Sequence, residues 1–434
     1  MSNPEAAPGA IDTPEWVAAM KVGHWYRISG DRPDLGLAAT EPGTRHLEDG
    51  DPACDPELNP ARTSKEALRR LLGRPPLAPW SGRNRFPAIT EAWNGAVYAS
   101  RCGAAGSMIV YGGGHNDYFG SDVHAFDLAT RCWRRISDGY VTGTPGDYGA
   151  GAVYPDAVYP DGSPLPPHTY DYVQYDPVAN ELLLLKGQTE LGERVKAIAI
   201  AHLFNLDTRS WRHGPLQPRA ILNSGGWTTW DPRRRILWGH CGDDGGGNAF
   251  IGFAPDGDNP DGTRGAWGPL YPNKWPGRAN HNAMQIDPLR DLIVVAVHDF
   301  DALCAIDPNA PADPPVPLVS TAPKPRLSPY PALEYAANLD RLIYYSAADG
   351  ARAYAIAAPQ GGHWRALTSM PWTWRPVASG ANRLDPISDA AALSKYPINR
   401  NHTFGRFRVA AFGTRDVGIL VRHVDTPVYA IRLV

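Results

Sequence analysis

SMIVYGGGHNDYFGSDVHAFDLATRCWRRI, residues 107–136, carries the unit that repeats along this chain. An apolar run ends at three glycines, a second run ends in Phe-Asp-Leu, and a turn leads into a segment that contains a tryptophan. ELLLLKGQ (181–188) followed by AHLFNLDTRSWRHG (201–214) has the same order. Internal repeats of this kind indicate an architecture built from similar supersecondary units.

Weaker copies of the unit continue to the end of the chain. They are RRILWGHCG (234–242), DLIVVAVHD (291–299), RLIYYSAAD (341–349) and VGILVRHVD (417–425). Another short strand and a turn precede the apolar run, as in DYVQYDPVAN (171–180) and WTTWDPRRR (227–235). Each unit is therefore predicted to be four short antiparallel strands, here a to d, which is the composition of a propeller blade.

The predicted fold is all-β, a β-propeller of six blades, with seven as the alternative. The second strands, b, are predicted to start at Met108, Leu182, Ile236, Leu292, Leu342 and Val417. The last unit lacks its tryptophan strand, and GHWYRISG (23–30) resembles the missing piece. Because an open ring would leave exposed strand edges, we expect this segment to close the ring with the C-terminal strands.

Two parts of the chain are predicted from this repeat. Residues 1–92 form an N-terminal arm that contains the ring-closing strand and a short helix, SKEALRRLLG (64–73), and residues 93–434 form the propeller. Insertions are expected at 139–167, without a strand pair, and at 372–401, where DPISDAAALSKY is predicted to be helical. Tryptophans 133, 211, 267 and 364 are predicted to lie in the outer strands and to pack in the blade cores.

The composition fits a globular protein and excludes several classes of partner. Of the 434 residues 43% are apolar and 20% charged, and the net charge of −3 gives no support for nucleic-acid binding. No apolar run is long enough to span a membrane. The N-terminus does not have the pattern of a signal peptide, which predicts a cytoplasmic protein, or an extracellular one if a signal was removed.

The five cysteines show no zinc-binding spacing, so a structural zinc site is not expected. Cys102 and Cys132 fall in two turns of the first blade that are predicted to share one face. We therefore expect them to form a disulfide if the protein meets an oxidising compartment.

The glycine run after strand b and the later tryptophan resemble kelch repeats. YGGGHNDYFG (111–120) and GRFRVAAFGTRDVGILVRHVDTPVYAIRL (405–433) are similar to bacterial and phage proteins of the galactose oxidase/kelch-type propeller group. The resemblance implies a kelch-like propeller over most of residues 93–434. It implies no particular activity, because one fold hosts many functions.

Histidines are predicted to cluster on one face of the ring. The b–c connections and the connections between blades open on the same face, which we call the upper face. Residue positions counted from the start of each b strand, together with the connections between blades, place seven histidines and Gln188 there. The histidines are His115, His168, His240, His281, His298, His402 and His423. The alternative for each is a structural histidine of the channel wall.

The function predicted from this cluster is polysaccharide lyase-like β-elimination on a uronic-acid-containing glycan, with no cofactor. The reaction needs a base, an acid and a cation that neutralises the carboxylate, and imidazole, phenol and guanidinium groups suit these tasks. The predicted catalytic residues are His115, His168, Tyr170 and Arg406. The predicted substrate-binding residues are Asn116, Asp117, Tyr118, Gln188, His281, His298, His402, Trp93 and Tyr330.

Other functional interpretations of the same residues remain possible at this point. A divalent metal could be held by His240, Asp243 and Asp244, although no pair of histidines has a ligand spacing that fixes the geometry. The propeller could instead be a non-catalytic glycan-binding or interaction module, including one associated with a virion. A copper-radical oxidase and hydrolysis by a carboxylate pair are further alternatives.

Overall fold

The protein is a six-bladed β-propeller. The computed structural model describes residues 13–30, 33–39, 89–90, 93–114, 120–137, 153–190, 197–222, 225–243, 248–272, 281–321, 324–346, 352–361, 364–377, 404–422 and 427–434. The helix predicted at 64–73 and the helical segment predicted within 372–401 lie outside these residues. None of the helices in the described ranges has the length and apolarity needed to cross a membrane.

Each blade is a sheet of four antiparallel strands in the order a-b-c-d. Blade 1 has Ala96–Ala99, Ser107–Val110, Val123–Asp127 and Cys132–Ser137. Blade 2 has Val173–Asp176, Glu181–Leu184, His202–Asn205 and Ser210–His213. Blade 3 has Thr228–Asp231, Ile236–Asp243, Asn248–Asp258 and Arg264–Trp267. Blade 4 has Ala283–Asp287, Leu292–Val297, Ala302–Ile306 and Val316–Pro317. Blade 5 has Ala332–Ala336, Arg341–Ser346, Arg352–Ala357 and Thr373–Pro376. Blade 6 has Phe407–Phe412, Arg415–Leu420, Tyr429–Arg432 and Trp25–Arg27.

A few shorter elements complete the described secondary structure. Gly187–Gln188 pairs with Ala197–Ile198, and Ala220–Ile221 and Tyr271–Pro272 extend blade 3. The helices are Glu15–Ala19, Trp364–Leu367 and one turn of 3₁₀ helix, His298–Phe300, and residues 89–90 are also helical.

The six a strands surround a common axis. Each contacts the a strand of the blade on either side, and the circuit is closed between blades 6 and 1. The ring is therefore complete with six blades, and the seven-blade alternative is wrong. The predicted starts of the b strands all fall on the b strands of the structure.

The N-terminal segment closes the ring, as predicted. Trp25–Arg27 pairs antiparallel with Tyr429–Arg432 and becomes strand d of blade 6. The Trp25 ring is buried and packs edge-on against Tyr345 and Phe407, at centroid distances of 5.8 and 6.2 Å. The last blade is thus held together by both ends of the chain.

Tryptophans fill the outer parts of three blades as predicted. Trp133, Trp211 and Trp267 lie in d strands and pack on phenylalanines of the adjacent c strands, at 5.4, 4.9 and 5.0 Å. The prediction for Trp364 is wrong, since this residue begins a short helix. Trp374 takes the position in strand d of blade 5, because the helix delays the start of that strand.

Cys102 and Cys132, which are expected to form a disulfide in an oxidising compartment, are not bonded to each other in the structure. Both are free thiols, as are Cys241 and Cys304 among the described residues. The Arg134 guanidinium donates to the Cys102 sulfur at 3.8 Å and lies 3.3 Å from an Asp127 carboxylate oxygen. The sulfur of Cys102 thus lies in a polar contact that the turn positions alone did not indicate.

Aspartates at the a–b turns join neighbouring blades on the opposite, lower face. In blades 2, 3 and 4 the a strand ends in Asp-Pro, and the aspartate accepts backbone N–H groups of its own turn. Arginines of these turns pair with aspartates of a neighbouring blade. The pairs are Arg235–Asp176, Arg234–Asp291 and Arg290–Asp340, at 2.7, 2.6 and 2.7 Å. This girdle of ion pairs fixes the relative orientation of blades 2 to 5.

Candidate active site

Four aromatic side chains meet at the upper end of the axis. Tyr170, His281, Tyr330 and Phe404 each lie just before the a strand of blades 2, 4, 5 and 6, and each has a left-handed backbone, with φ between 44° and 64°. Each ring packs against the next, and the last packs against the first. The centroid distances are 6.2 Å from Tyr170 to His281, 4.2 Å from His281 to Tyr330, 4.6 Å from Tyr330 to Phe404 and 5.7 Å from Phe404 back to Tyr170. We call these four side chains the aromatic quartet.

Blade 3 has a glycine at the same place, and the quartet explains why. Gly225 also has a left-handed backbone, with φ of 72°. A Cβ on Gly225 would overlap the imidazole of His281. The backbone N–H of His281 donates to the Gly225 carbonyl at 2.6 Å. The absence of a side chain in blade 3 therefore gives His281 its position in the quartet.

His168 and Trp93 extend the quartet toward blade 1. The His168 ring lies 5.0 Å from the Trp93 ring and 5.9 Å from the Tyr170 ring, both edge-on. His168 is only 3% exposed, whereas Trp93 is 41% exposed. The sequence prediction that His168, Tyr170, His281, Tyr330 and Trp93 lie on one face thus corresponds to a single connected cluster.

The glycine run of the first blade makes room for this cluster. Gly114 has φ of 89°, and a Cβ there would overlap the imidazole of His168. Gly113 donates its N–H to the carbonyl of Pro167 at 3.0 Å. The glycines therefore bring strand b of blade 1 directly against the segment that carries His168 and Tyr170.

Lys186 is a site residue that the sequence reasoning missed. It follows strand b of blade 2, and its Nζ lies 4.7 Å from the centroid of the Tyr170 ring and 5.6 Å from that of Tyr172. The side chain is 5% exposed, and burial lowers its pKa to about 7. The signal was visible in ELLLLKGQ, where a lysine ends an apolar run. The site thus contains an amine that changes charge near neutral pH.

Arg406 is placed differently from its predicted role. Its guanidinium donates to the main-chain carbonyls of Asn94, Val421 and Arg422, at 2.5, 3.1 and 3.4 Å. It is 1% exposed, and burial lowers its pKa to about 9. The bond to Asn94 joins blade 6 to blade 1. The structure therefore gives Arg406 a part in closing the ring, rather than the carboxylate-binding task predicted from the sequence.

Two more predicted residues, His298 and Gln188, have hydrogen-bond or ion-pair partners close to their own strands. His298 Nδ1 lies 2.9 Å from Asn282 Oδ1, and its Nε2 lies 3.0 Å from Asp299 Oδ1. Gln188 is buried and donates to the Glu190 carbonyl at 2.7 Å. These contacts give His298 and Gln188 a local structural explanation.

His240 is enclosed beside the upper part of blade 3. Its imidazole stacks on Trp227 at 4.6 Å with an interplanar angle of 10°, and burial lowers its pKa to about 4. It is therefore neutral at physiological pH. Asp244 and the side chain of Asp243 lie outside the described part of the structure. Among the residues that are described, no three His, Cys, Asp or Glu side chains come together as metal ligands would.

The remaining predicted residues also lie outside the described ranges. They are His115, Asn116, Asp117, Tyr118, His402 and His423. The first four directly follow Gly114, whose backbone lies against His168.

Comparisons with known proteins do not show a family for this chain. No protein-family model matches the chain, and no curated protein matches it either. Among solved structures, TolB from Acinetobacter baumannii is similar over 67% of this chain, with 12% identity and a TM-score of 0.33. A protein of unknown function from Bacteroides thetaiotaomicron is similar over 75% of this chain, with 8% identity and a TM-score of 0.36. The matches span 64% and 66% of those two chains.

Proposed function

We propose that the protein is a carbohydrate-active propeller of the kelch type, which binds a uronic-acid-containing glycan at its upper face and cleaves it by β-elimination. The observation that supports this best is the aromatic quartet, with Trp93 exposed beside it and Lys186 beneath Tyr170. Aromatic faces stack on sugar rings, and an amine attracts the carboxylate of a uronic acid.

Each task of the reaction has a candidate in this cluster. A base removes the C5 proton, the electron pair of that bond forms the C4–C5 double bond, and the C4–O bond breaks. The departing oxygen keeps the electrons of its bond and takes a proton from the acid. Tyr170 and His168, whose rings lie 5.9 Å apart, are the proposed proton-transfer groups.

We assign to Lys186 the role that the sequence analysis gave to Arg406, which is to neutralise the carboxylate of the uronic acid. Bound carboxylate would favour the charged form of an amine whose pKa burial has lowered to about 7. The positive charge would then lie close to the C5 carbon, where negative charge develops when the proton leaves. This stabilises the transition state more than the ground state, which is the requirement for catalysis.

A non-catalytic glycan-binding module is the second candidate, and one observation favours it. The exposed member of the cluster is Trp93, a stacking residue, whereas His168 is nearly buried. A binding module needs an exposed stacking residue, and it does not need an imidazole that the ligand can reach.

The test is incubation of the full-length protein with alginate, polygalacturonate and hyaluronan, followed by the ultraviolet absorbance of the unsaturated product. We expect product from at least one polymer. Tyr170→Phe keeps the ring but removes the hydroxyl, so it should reduce kcat by about 100-fold or more. Lys186→Met should lower kcat, because the cation acts mainly in the transition state, and should also raise KM.

Tyr335→Phe is the matched control, because it removes a phenol from the lower face. It should leave the rate unchanged. Binding without product, measured by calorimetry with the same polymers, would replace the lyase proposal by the binding module. Neither product nor binding across the panel would contradict both candidates.

A further inference from the structure

A cavity of about 290 Å³ lies on the axis at the lower face, at the other end of the ring from the aromatic quartet. Its walls come from the ends of all six a strands, and its rim is formed by a–b turns, including those at Ser100, Pro177, Pro232 and Pro288. The cavity is therefore a feature of the assembled ring and belongs to no single blade. Its volume is at the lower end of the range for small-molecule sites.

Aromatic rings form much of the wall. Tyr98, Tyr175, Trp230 and Tyr335 come from blades 1, 2, 3 and 5. The three phenol hydroxyls donate to Ala105 O, Asn180 Oδ1 and Asp340 Oδ1, at 3.2, 2.8 and 3.0 Å. These bonds hold the rings in place, so the wall presents fixed aromatic surface to whatever enters.

A charged group with an excess of negative charge lies at the inner end. The Arg408 guanidinium donates to Glu334 at 2.6 Å and to Asp171 at 2.7 Å, and Nε donates to the Ala96 carbonyl at 2.7 Å. Glu334 and Arg408 line the cavity. One guanidinium thus faces two carboxylates, which leaves one negative charge uncompensated when both are ionised.

The titration of the two acids is consistent with this imbalance. Burial raises the pKa of Asp171 to about 7, although Arg408 acts in the opposite direction. The pKa of Glu334 is raised for the same main reason. A second cation near Glu334 would stabilise both carboxylates in their charged forms.

Two amides add hydrogen-bond acceptors to the wall. Gln174 and Gln285 line the cavity and donate their N–H groups to the carbonyls of Thr228 and Ile286, at 2.9 and 3.3 Å. These bonds use the nitrogen side of each amide, so its oxygen can accept a bond from a ligand. Acceptors, aromatic faces and a carboxylate together are the surroundings that ammonium groups prefer in proteins.

We propose that this axial cavity is a binding site for a small organic cation, whose ammonium head lies between Glu334 and the aromatic walls. The site is separate from the proposed glycan site, because it opens on the opposite face. A ligand there would contact all six a strands and would also stabilise the closed ring.

The test is isothermal titration calorimetry of the full-length protein with choline and with putrescine. The uncharged analogue of choline, 3,3-dimethylbutan-1-ol, is the ligand control. We expect saturable binding of at least one cation at a single site and no binding of the alcohol. Failure of both cations to bind, or equal binding of the alcohol, would overturn the proposal.

Variants locate the site. Glu334→Gln keeps the shape but removes the charge, and Gln285→Lys places a competing ammonium at a partly exposed position of the wall. Each should weaken binding by about tenfold or more, which corresponds to about 1.4 kcal/mol. Full affinity in a folded Glu334→Gln, or in Gln285→Lys should the first variant fail to fold, would contradict the assignment.

Glu181→Gln is the matched control. Glu181 is also a buried carboxylate with an arginine partner, Arg212, but it lies in strand b of blade 2, outside the cavity wall. Its replacement should leave the affinity for the cation unchanged. An equal loss in both glutamate variants would indicate a general effect on stability and would contradict a local site.

Discussion

Lys186 makes the stability of the protein depend on pH in a direction that can be worked out. Its ordinary pKa is 10.5, and burial lowers it to about 7 in the folded chain. Between these values the unfolded chain holds the proton and the folded chain does not. The contribution of Lys186 to the free energy of unfolding therefore rises with pH, by about 1.4 kcal/mol per unit. Below pH 7 the full cost of burying the ammonium remains.

Lys186→Met should remove this dependence. We compare the free energy of unfolding of the variant with that of the native protein. This difference should be about 3 kcal/mol more favourable to the variant at pH 6 than at pH 9. Urea unfolding at both pH values measures the difference. Lys21→Met, at an exposed position, is the control and should show the same small effect at both. A constant difference for Lys186→Met would contradict the buried-amine interpretation.

Among single residues, the sequence predicted position better than chemical environment. Tyr170 and His281 were expected on one face, and they share the quartet. The environment of Arg406 was predicted wrongly, because part of it is built by a blade far away in sequence. The Asn94 carbonyl that binds Arg406 is 312 residues away. The position of a residue within its predicted blade indicates which end of the axis it lies at. It does not indicate which side chains of other blades lie beside it.

Ion pairs between neighbouring turns make the blades depend on one another. Arg290 lies between Asp287 of its own turn and Asp340 of the next blade, at 2.8 and 2.7 Å. Asp287 is buried, and burial raises its pKa although Arg290 acts against this. Removal of the guanidinium leaves that carboxylate with the backbone N–H groups of its turn but without its charged partner. We expect Arg290→Gln to destabilise the protein by about 3 kcal/mol.

Thermal unfolding of Arg290→Gln checks this, with Arg264→Gln beside it. Arg264 pairs at 3.4 Å with Asp258, whose side chain is 85% exposed. That pair should contribute less than about 1 kcal/mol. Equal shifts in Tm for the two variants would show that the girdle contributes no more than a surface pair.

The elements were predictable because each blade repeats one pattern of apolar strands and turns. Every b strand starts within a residue or two of its predicted position. The d strand of blade 5 was misplaced because Trp364 follows strand c at the usual distance, yet begins a helix. A tryptophan marks an outer strand only when no insertion separates it from strand c, and the local sequence does not reveal that.

The closed ring was predictable from a single missing strand, since the last unit lacks strand d and the N-terminus contains one. The consequence for the whole molecule is that blade 6 is complete only when the two ends of the chain pair. Ile28 continues the ladder beyond strand d with a bond to the Val428 carbonyl at 2.9 Å. The stability of all six blades should therefore depend on a short segment.

Deletion of residues 1–30 is predicted to open the ring. It uncovers the edge of Tyr429–Arg432 and removes Trp25 from its contacts with Tyr345 and Phe407. Loss of a buried tryptophan alone costs about 3–5 kcal/mol, and the free edge favours association between chains. Size-exclusion chromatography should show oligomers, and Tm should fall. A synthetic peptide of residues 13–39 should restore the monomer and much of the lost Tm, because it supplies the missing strand. A truncated chain that stays monomeric with the native Tm would mean that the ring is held by the contacts between a strands, including the bonds of Arg406 and Arg408 to blade 1.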